Sequence, residues 1–195
     1  MNSGEFEVFF YKDMNLEHIV DHSHPHYEVY FFLDGNVTYV IGGETYDLQY
    51  GDYLLIPPGV KHHPIFHSTG QNYQRFVLWI SESYYNTMCS WSQDFAYSFD
   101  YVREQKQYRF RTDFIIFQDI QGRLLDMLEE LHGNKAFHQL NSQLMVHSFM
   151  LFLNRITYDM LHQVPVAYEN VLYLNICDYI NNHLSEDLSL DHLAS

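Results

Sequence analysis

Residues 22–28 read HSHPHYE and place His22, His24, His26 and Glu28 at every second position. Imidazole nitrogens and a carboxylate suit Zn, Fe, Mn, Ni or Cu. In an extended strand, residues two apart share a face. The four groups therefore converge if the strand is regular from residue 22 on, and Pro25 disturbs that regularity at its start. Four such groups aimed into a barrel are costly without a partner, which is a metal, a polar ligand or water. A further ligand is at hand in His62 or His63, after the loop PPGV. Seven of the 13 histidines lie between positions 18 and 67, a denser grouping than scattered surface histidines give.

The elements that would hold these groups are short strands. EFEVFFYK (5–12), YEVYFFL (27–33), NVTYVI (36–41), ETYDL (44–48), YLLIP (53–57) and YQRFVLWI (73–80) are rich in Val, Ile, Tyr and Phe. Turn residues separate them, at Asp34-Gly35, Gly42-Gly43, Tyr50-Gly51-Asp52 and Pro57-Pro58-Gly59. TYVIGGETYDL predicts a hairpin whose glycine pair takes positive φ. Many short strands at close spacing predict an antiparallel sandwich or barrel.

After about residue 112 the period changes. Phe117, Ile120, Leu124, Leu128 and Leu131 mark one helix face, with Asp113 as N-cap and Gly133 beyond its end. Met145, Phe149, Phe152, Ile156 and Met160 mark a second, over about 138–160. Two such helices make an antiparallel hairpin, and their apolar faces need cover from the barrel or from a second subunit. Pro165 starts a linker (164–170). A third helix follows over about 169–184, and Ser189 reads as a fresh N-cap. A chain that stops six residues later reads as an excised fragment.

The whole chain constrains function further. It has 195 residues, 47% of them apolar, enough for a sizeable core. The formal charge of −15 opposes a polyanion, and no Lys or Arg follows Arg155. Two distant cysteines, Cys89 and Cys177, fit a reducing cytoplasm. No segment is long and apolar enough to span a membrane, and the N-terminus lacks a signal-peptide pattern.

His22-x-His24-x3-Glu28-x6-Gly35 resembles the first motif of the cupin superfamily. Gly51-x5-Pro57-x-Gly59-x2-His62 resembles the second, except that Phe66 stands where its closing Asn would be. The resemblance implies an α+β, mainly β, fold: a jelly-roll barrel followed by a helical hairpin. It also implies that His22, His24, Glu28 and His62 sit where metal-binding cupins place their ligands. More narrowly, residues 22–63 are similar to the effector domain of AraC-type transcription regulators. NICDYINNHLSEDLSLDHLAS is similar to the start of that family's helix-turn-helix DNA-binding domain. On this reading residues 1–110 are the ligand-binding barrel, 111–163 the dimerisation region and 171–195 the truncated DNA-binding start. No residue here would read DNA bases, because a helix-turn-helix reads with its second helix.

The resemblance favours an effector pocket over a resident metal. No cofactor is then expected, though the histidines retain the capacity for a divalent ion. The candidate lining is His24, Glu28, Tyr30, His62, Arg75 and Trp79, the last two sharing one face of their strand. A buried guanidinium there needs an acceptor, such as a ligand hydroxyl or carboxylate. The effector would be a small molecule, a sugar by family habit, sensed by a homodimer joined through helices 113–132 and 138–160. Two other readings remain. One is a metal-dependent cupin enzyme, an isomerase or dioxygenase. The other is an oligomerisation domain whose barrel is filled by side chains.

Overall fold

A computed structural model of the chain describes residues 1, 3–14, 18–67, 72–133, 135–163, 176, 179 and 180. Among them eight strands form two antiparallel sheets: β1 (Phe6–Met14), β2 (His26–Asp34), β3 (Val37–Ile41), β4 (Glu44–Asp47), β5 (Asp52–Ile56), β6 (His62–Phe66), β7 (Asn72–Ser81) and β8 (Arg109–Arg111). The larger sheet runs β1-β7-β2-β5-β8 and the smaller β4-β3-β6. The predicted hairpin is present. Ile41 pairs with Glu44, and Gly42 and Gly43 take φ of 59° and 92° between them.

β2 lies at the centre of the larger sheet and is buried on both faces, which accounts for its nearly unbroken apolar run. Tyr27 and Phe31 face outward, toward helices. The Tyr27 ring stacks 3.8 Å from Tyr85 and lies 4.7 Å from Phe99. Phe31 meets Phe149 at 5.8 Å. Glu28 and Tyr30, of opposite parity, face the barrel interior.

The first hundred residues are not all strand and loop. Beyond β7 come α1 (Glu82–Trp91), a short 3-10 turn (Gln93–Ala96) and α2 (Tyr97–Gln105), after which β8 rejoins the sheet beside β5. Ser81 ends β7 and caps α1, its hydroxyl accepting from the Tyr84 N–H. α1 buries only Tyr85 and Met88, too few apolar positions to announce a helix in sequence. β6 also escaped the strand pattern, because HHPIF holds a proline and two polar residues. As an edge strand it tolerates both.

The helices expected over 113–132 and 138–160 are α3 (Phe114–His132) and α4 (His138–His162). Asp113 caps α3, accepting from the Ile116 N–H at 2.9 Å. Phe117, Ile120 and Leu124 of the expected face are buried, as are Phe149 and Ile156 of α4. Their cover comes from each other, from α2 and the 3-10 turn, and from the barrel. Tyr50 lies edge-on to Phe117, with centroids 4.9 Å apart. The buried Tyr53 hydroxyl meets Thr157 Oγ1 at 2.9 Å, tying β5 to α4. The linker expected at 164–170 and the segment 171–195 lie outside the described residues, apart from Ile176, Tyr179 and Ile180. No helix among the described residues is long and apolar enough to cross a membrane.

Candidate functional site

Pro25 does interrupt the strand. β2 starts at His26, and His22 instead forms an isolated antiparallel bridge with His62, with N–H···O distances of 2.9 and 3.2 Å. That bridge draws the two ends of the motif together. The rings of His22 and His62 lie 4.4 Å apart and those of His24 and His62 4.9 Å. His24, Glu28 and His62 each bring one ligand atom within 4.8 Å of the others. His22 stands beside this trio without joining it.

Each of these histidines is oriented through its own backbone. Nδ1 of His22 faces the Val20 carbonyl at 2.9 Å, that of His24 the His26 carbonyl at 3.0 Å, and that of His62 the Val60 carbonyl at 2.9 Å. A proton held on Nδ1 leaves Nε2 as the ligating atom, the arrangement that fixes metal-binding imidazoles. His24 Nε2 lies 2.8 Å from Glu28 Oε2. With Nδ1–H already donated, that approach is favourable only if Nε2 also carries a proton or a cation lies between the two atoms. His62 Nε2 is 3.9 Å from the same oxygen, and it is buried without a hydrogen-bond partner. Two imidazole nitrogens, one of them orphaned, and a carboxylate fit a divalent ion.

Glu28 is 5% exposed. Burial alone would push its carboxyl up. The hydrogen bonds from His24 and Trp79, with the electrostatic pull of the neighbouring imidazoles of His62 and His24, outweigh it and hold the group below the usual carboxylate range. The Trp79 indole N–H donates to Glu28 Oε2 at 2.8 Å. His26 stacks on His24, with centroids 3.7 Å apart and rings 3° from parallel. Burial first, and then the neighbouring charge of His24, push His26 down to about 4. Burial likewise lowers His62, against the pull of Glu28.

Below this cluster the barrel keeps a cavity of about 270 Å³. Glu28, Tyr30, Arg75 and Trp79 line it, as the shared strand faces predicted. His24 and His62 are not on its wall and reach it only through Glu28. His22 lines it instead. Three tyrosines of the wall went unnoticed in the sequence: Tyr11, Tyr39 and Tyr73. Tyr73 had a signal, since it shares parity with Arg75. Tyr11 had none, because only the register of β1 on β7 sets it opposite Arg75. The acceptor required by Arg75 also lies within the protein. Asp13 Oδ2 sits 2.6 Å from its Nη1.

Residues 15–79 match the family model described as Cupin domain, and the antiparallel sheets that contain them form a cupin-like, β-rich fold. Similar solved structures include a conserved protein of unknown function from Streptococcus pyogenes, with 21% identity over 41% of this chain and 68% of that chain at a TM-score of 0.35. A cupin protein from Bacteroides fragilis has 26% identity over 41% and 69%, also at 0.35. DMSP lyase DddQ from Ruegeria pomeroyi DSS-3 has 24% identity over 41% and 40%, again at 0.35. No curated protein matches the chain.

The depressed His26 sets a pH dependence of stability. Its folded value lies below its unfolded one, so between about 6.5 and 4 the unfolded chain binds the extra proton. Stability is therefore full at neutral pH and falls as pH drops through that window. At pH 5 the loss from this residue amounts to roughly 2 kcal/mol. Urea melts at pH 7 and pH 5 measure it. His26→Phe, which keeps the ring against His24, should flatten the dependence.

Proposed function

We propose that the chain is the effector-sensing and dimerisation module of an AraC-type transcription regulator, and that it is not an enzyme. The cavity carries this reading. A barrel serving only to hold subunits together would be filled by its own aromatics. Here about 270 Å³ remains beside Glu28, Tyr30, Arg75 and Trp79. That is slightly less than the roughly 300–1,000 Å³ of drug-sized sites, and so suits a small metabolite, a sugar among them. The similarity of residues 22–63 and 175–195 to the AraC type supports the same role. An effector would shift the balance between arrangements of this module and an attached DNA-binding domain. Such a regulator works in the cytoplasm. Binding to the folded state raises the thermal midpoint by mass action. A melting panel of sugars and other small metabolites should contain at least one that raises it. An unchanged midpoint across a broad panel would count against the sensor role.

The same proposal includes a homodimer through helices 113–132 and 138–160. Their barrel-facing residues are covered, yet Leu125, Leu140, Leu144 and Leu151 are exposed. The three on α4 recur at spacings of four and seven, the pattern of a helix-pairing seam. Leu144 also borders a groove with Met127 of α3. Sedimentation velocity should find a dimer at micromolar concentration and a monomer for Leu144→Asp. A monomeric wild-type chain removes the interface.

One observation favours a second reading, a metal-dependent cupin enzyme. His62 Nε2 is buried without a partner beside His24 and Glu28. Those three residues, with His22 adjacent, would hold the ion, which would supply Lewis-acid or oxygen-activating chemistry. Elemental analysis of untagged protein purified without chelator separates the readings. The sensor role expects metal well below one per chain. Stoichiometric Fe, Mn or Zn that is lost in His24→Ala supports the enzyme.

A further inference from the structure

Among the described residues the cavity wall holds one permanently cationic side chain, Arg75. A buried guanidinium ordinarily anchors the anionic end of a ligand, because its forked N–H donors match a carboxylate or phosphate. In this barrel one arm of the fork is already taken. Asp13 Oδ2 lies 2.6 Å from Arg75 Nη1, across the β1–β7 pairing. The Arg75 side chain is 13% exposed and that of Asp13 34%, so the pair sits where solvent screens it only partly. The rings of Tyr11 and Tyr73 lie against the guanidinium, 4.5 and 4.2 Å from its carbon.

Formal charges then decide which ligands fit. On the wall Arg75 contributes +1 and Glu28 −1, and Asp13, beside the wall and paired with Arg75, offsets the guanidinium's charge before any ligand arrives. An entering carboxylate would meet two carboxylates and a guanidinium already engaged. An entering ammonium group would meet that guanidinium. What the wall also offers is hydroxyl groups, from Tyr11, Tyr30, Tyr39 and Tyr73. Burial keeps these phenols protonated, with Tyr73 pushed up to about 12 and Tyr30 and Tyr39 held well above their ordinary value. Neutral hydroxyls both donate and accept, which matches a ligand that carries hydroxyls of its own. Tyr30 and Tyr73 already pair in this way, at 2.6 Å.

We propose that Asp13 is a charge filter: by occupying Arg75 it restricts the cavity to uncharged, hydroxyl-rich ligands and turns away acids and phosphates. The inference rests on the cavity being a ligand site, and it adds the residue that sets the ligand's charge. Calorimetric and thermal-shift titrations of the EDTA-dialysed chain test it, since a cation at Glu28 would otherwise recruit anions. The neutral probes are D-glucose, D-galactose, D-xylose and myo-inositol. The charged ones are D-glucuronate, D-galacturonate and glucose 6-phosphate. A neutral probe should bind the wild type while its acid derivative does not. In Asp13→Asn the affinity of the acid relative to the neutral probe should rise about tenfold or more, as expected when a repulsion of ~1.4 kcal/mol is removed. Asp13→Ser serves if the first variant does not fold, and the wild-type comparison needs no variant. Wild-type binding of an acid as tightly as its neutral parent overturns the filter and leaves the ligand site standing. An unchanged ratio in the variants does the same. If none of the seven probes binds, the ligand site fails and the filter with it.

Discussion

A carboxylate inside a barrel must be met by donors, or the fold loses several kcal/mol. Glu28 is that carboxylate, and much of the interior is arranged around it. One oxygen, Oε2, receives the Trp79 indole N–H and faces His24 Nε2, each at 2.8 Å. His62 stands 3.9 Å off. These partners come from three separate places: the approach to β2, the start of β6 and the far end of β7. The bridge between His22 and His62 belongs to the same arrangement, because it brings the approach segment against β6. The groups that would hold a metal or face a ligand are also the groups that make a buried charge tolerable.

The division of β2 into two faces links that interior to the rest of the fold. Odd-numbered residues, Tyr27 and Phe31, pack outward on Tyr85, Phe99 and Phe149. Even-numbered ones, Glu28 and Tyr30, line the cavity. The helical layer thus serves the site indirectly. It covers the outer face of the larger sheet, so the inner face can remain polar without loss of the core. Tyr27 and Phe31 thus couple β2 directly to α1, α2 and α4 through aromatic contacts.

Much of the site could be read from residue types and spacing. The parity of Arg75 with Trp79, the glycine pair at 42–43 and the Asp113 cap each correspond to a local rule with a short range, and each appears in the structure, whereas the alternation in HSHPHYE is broken at Pro25, so that of the alternating groups only His26 and Glu28 share the strand. The elements that escaped are those whose cause is not local. β6 is too polar to announce itself and exists because β3 offers it an edge. α1 buries two residues and is held by its contact with β2. Arg75 was expected to seek an acceptor, and it found one in Asp13, 62 positions away.

The sequence by itself determined the barrel, its two histidine-bearing motifs and the helical hairpin, because hydrophobic period, turn residues and caps act over a few neighbours. Only the tertiary structure decided that His24 and His62 reach the cavity through Glu28 rather than lining it. Only there do Tyr11 and Asp13 come to flank Arg75, and only there does space remain between the sheets. These follow from strand order and register, which depend on how whole faces pack and which no short stretch of chain encodes.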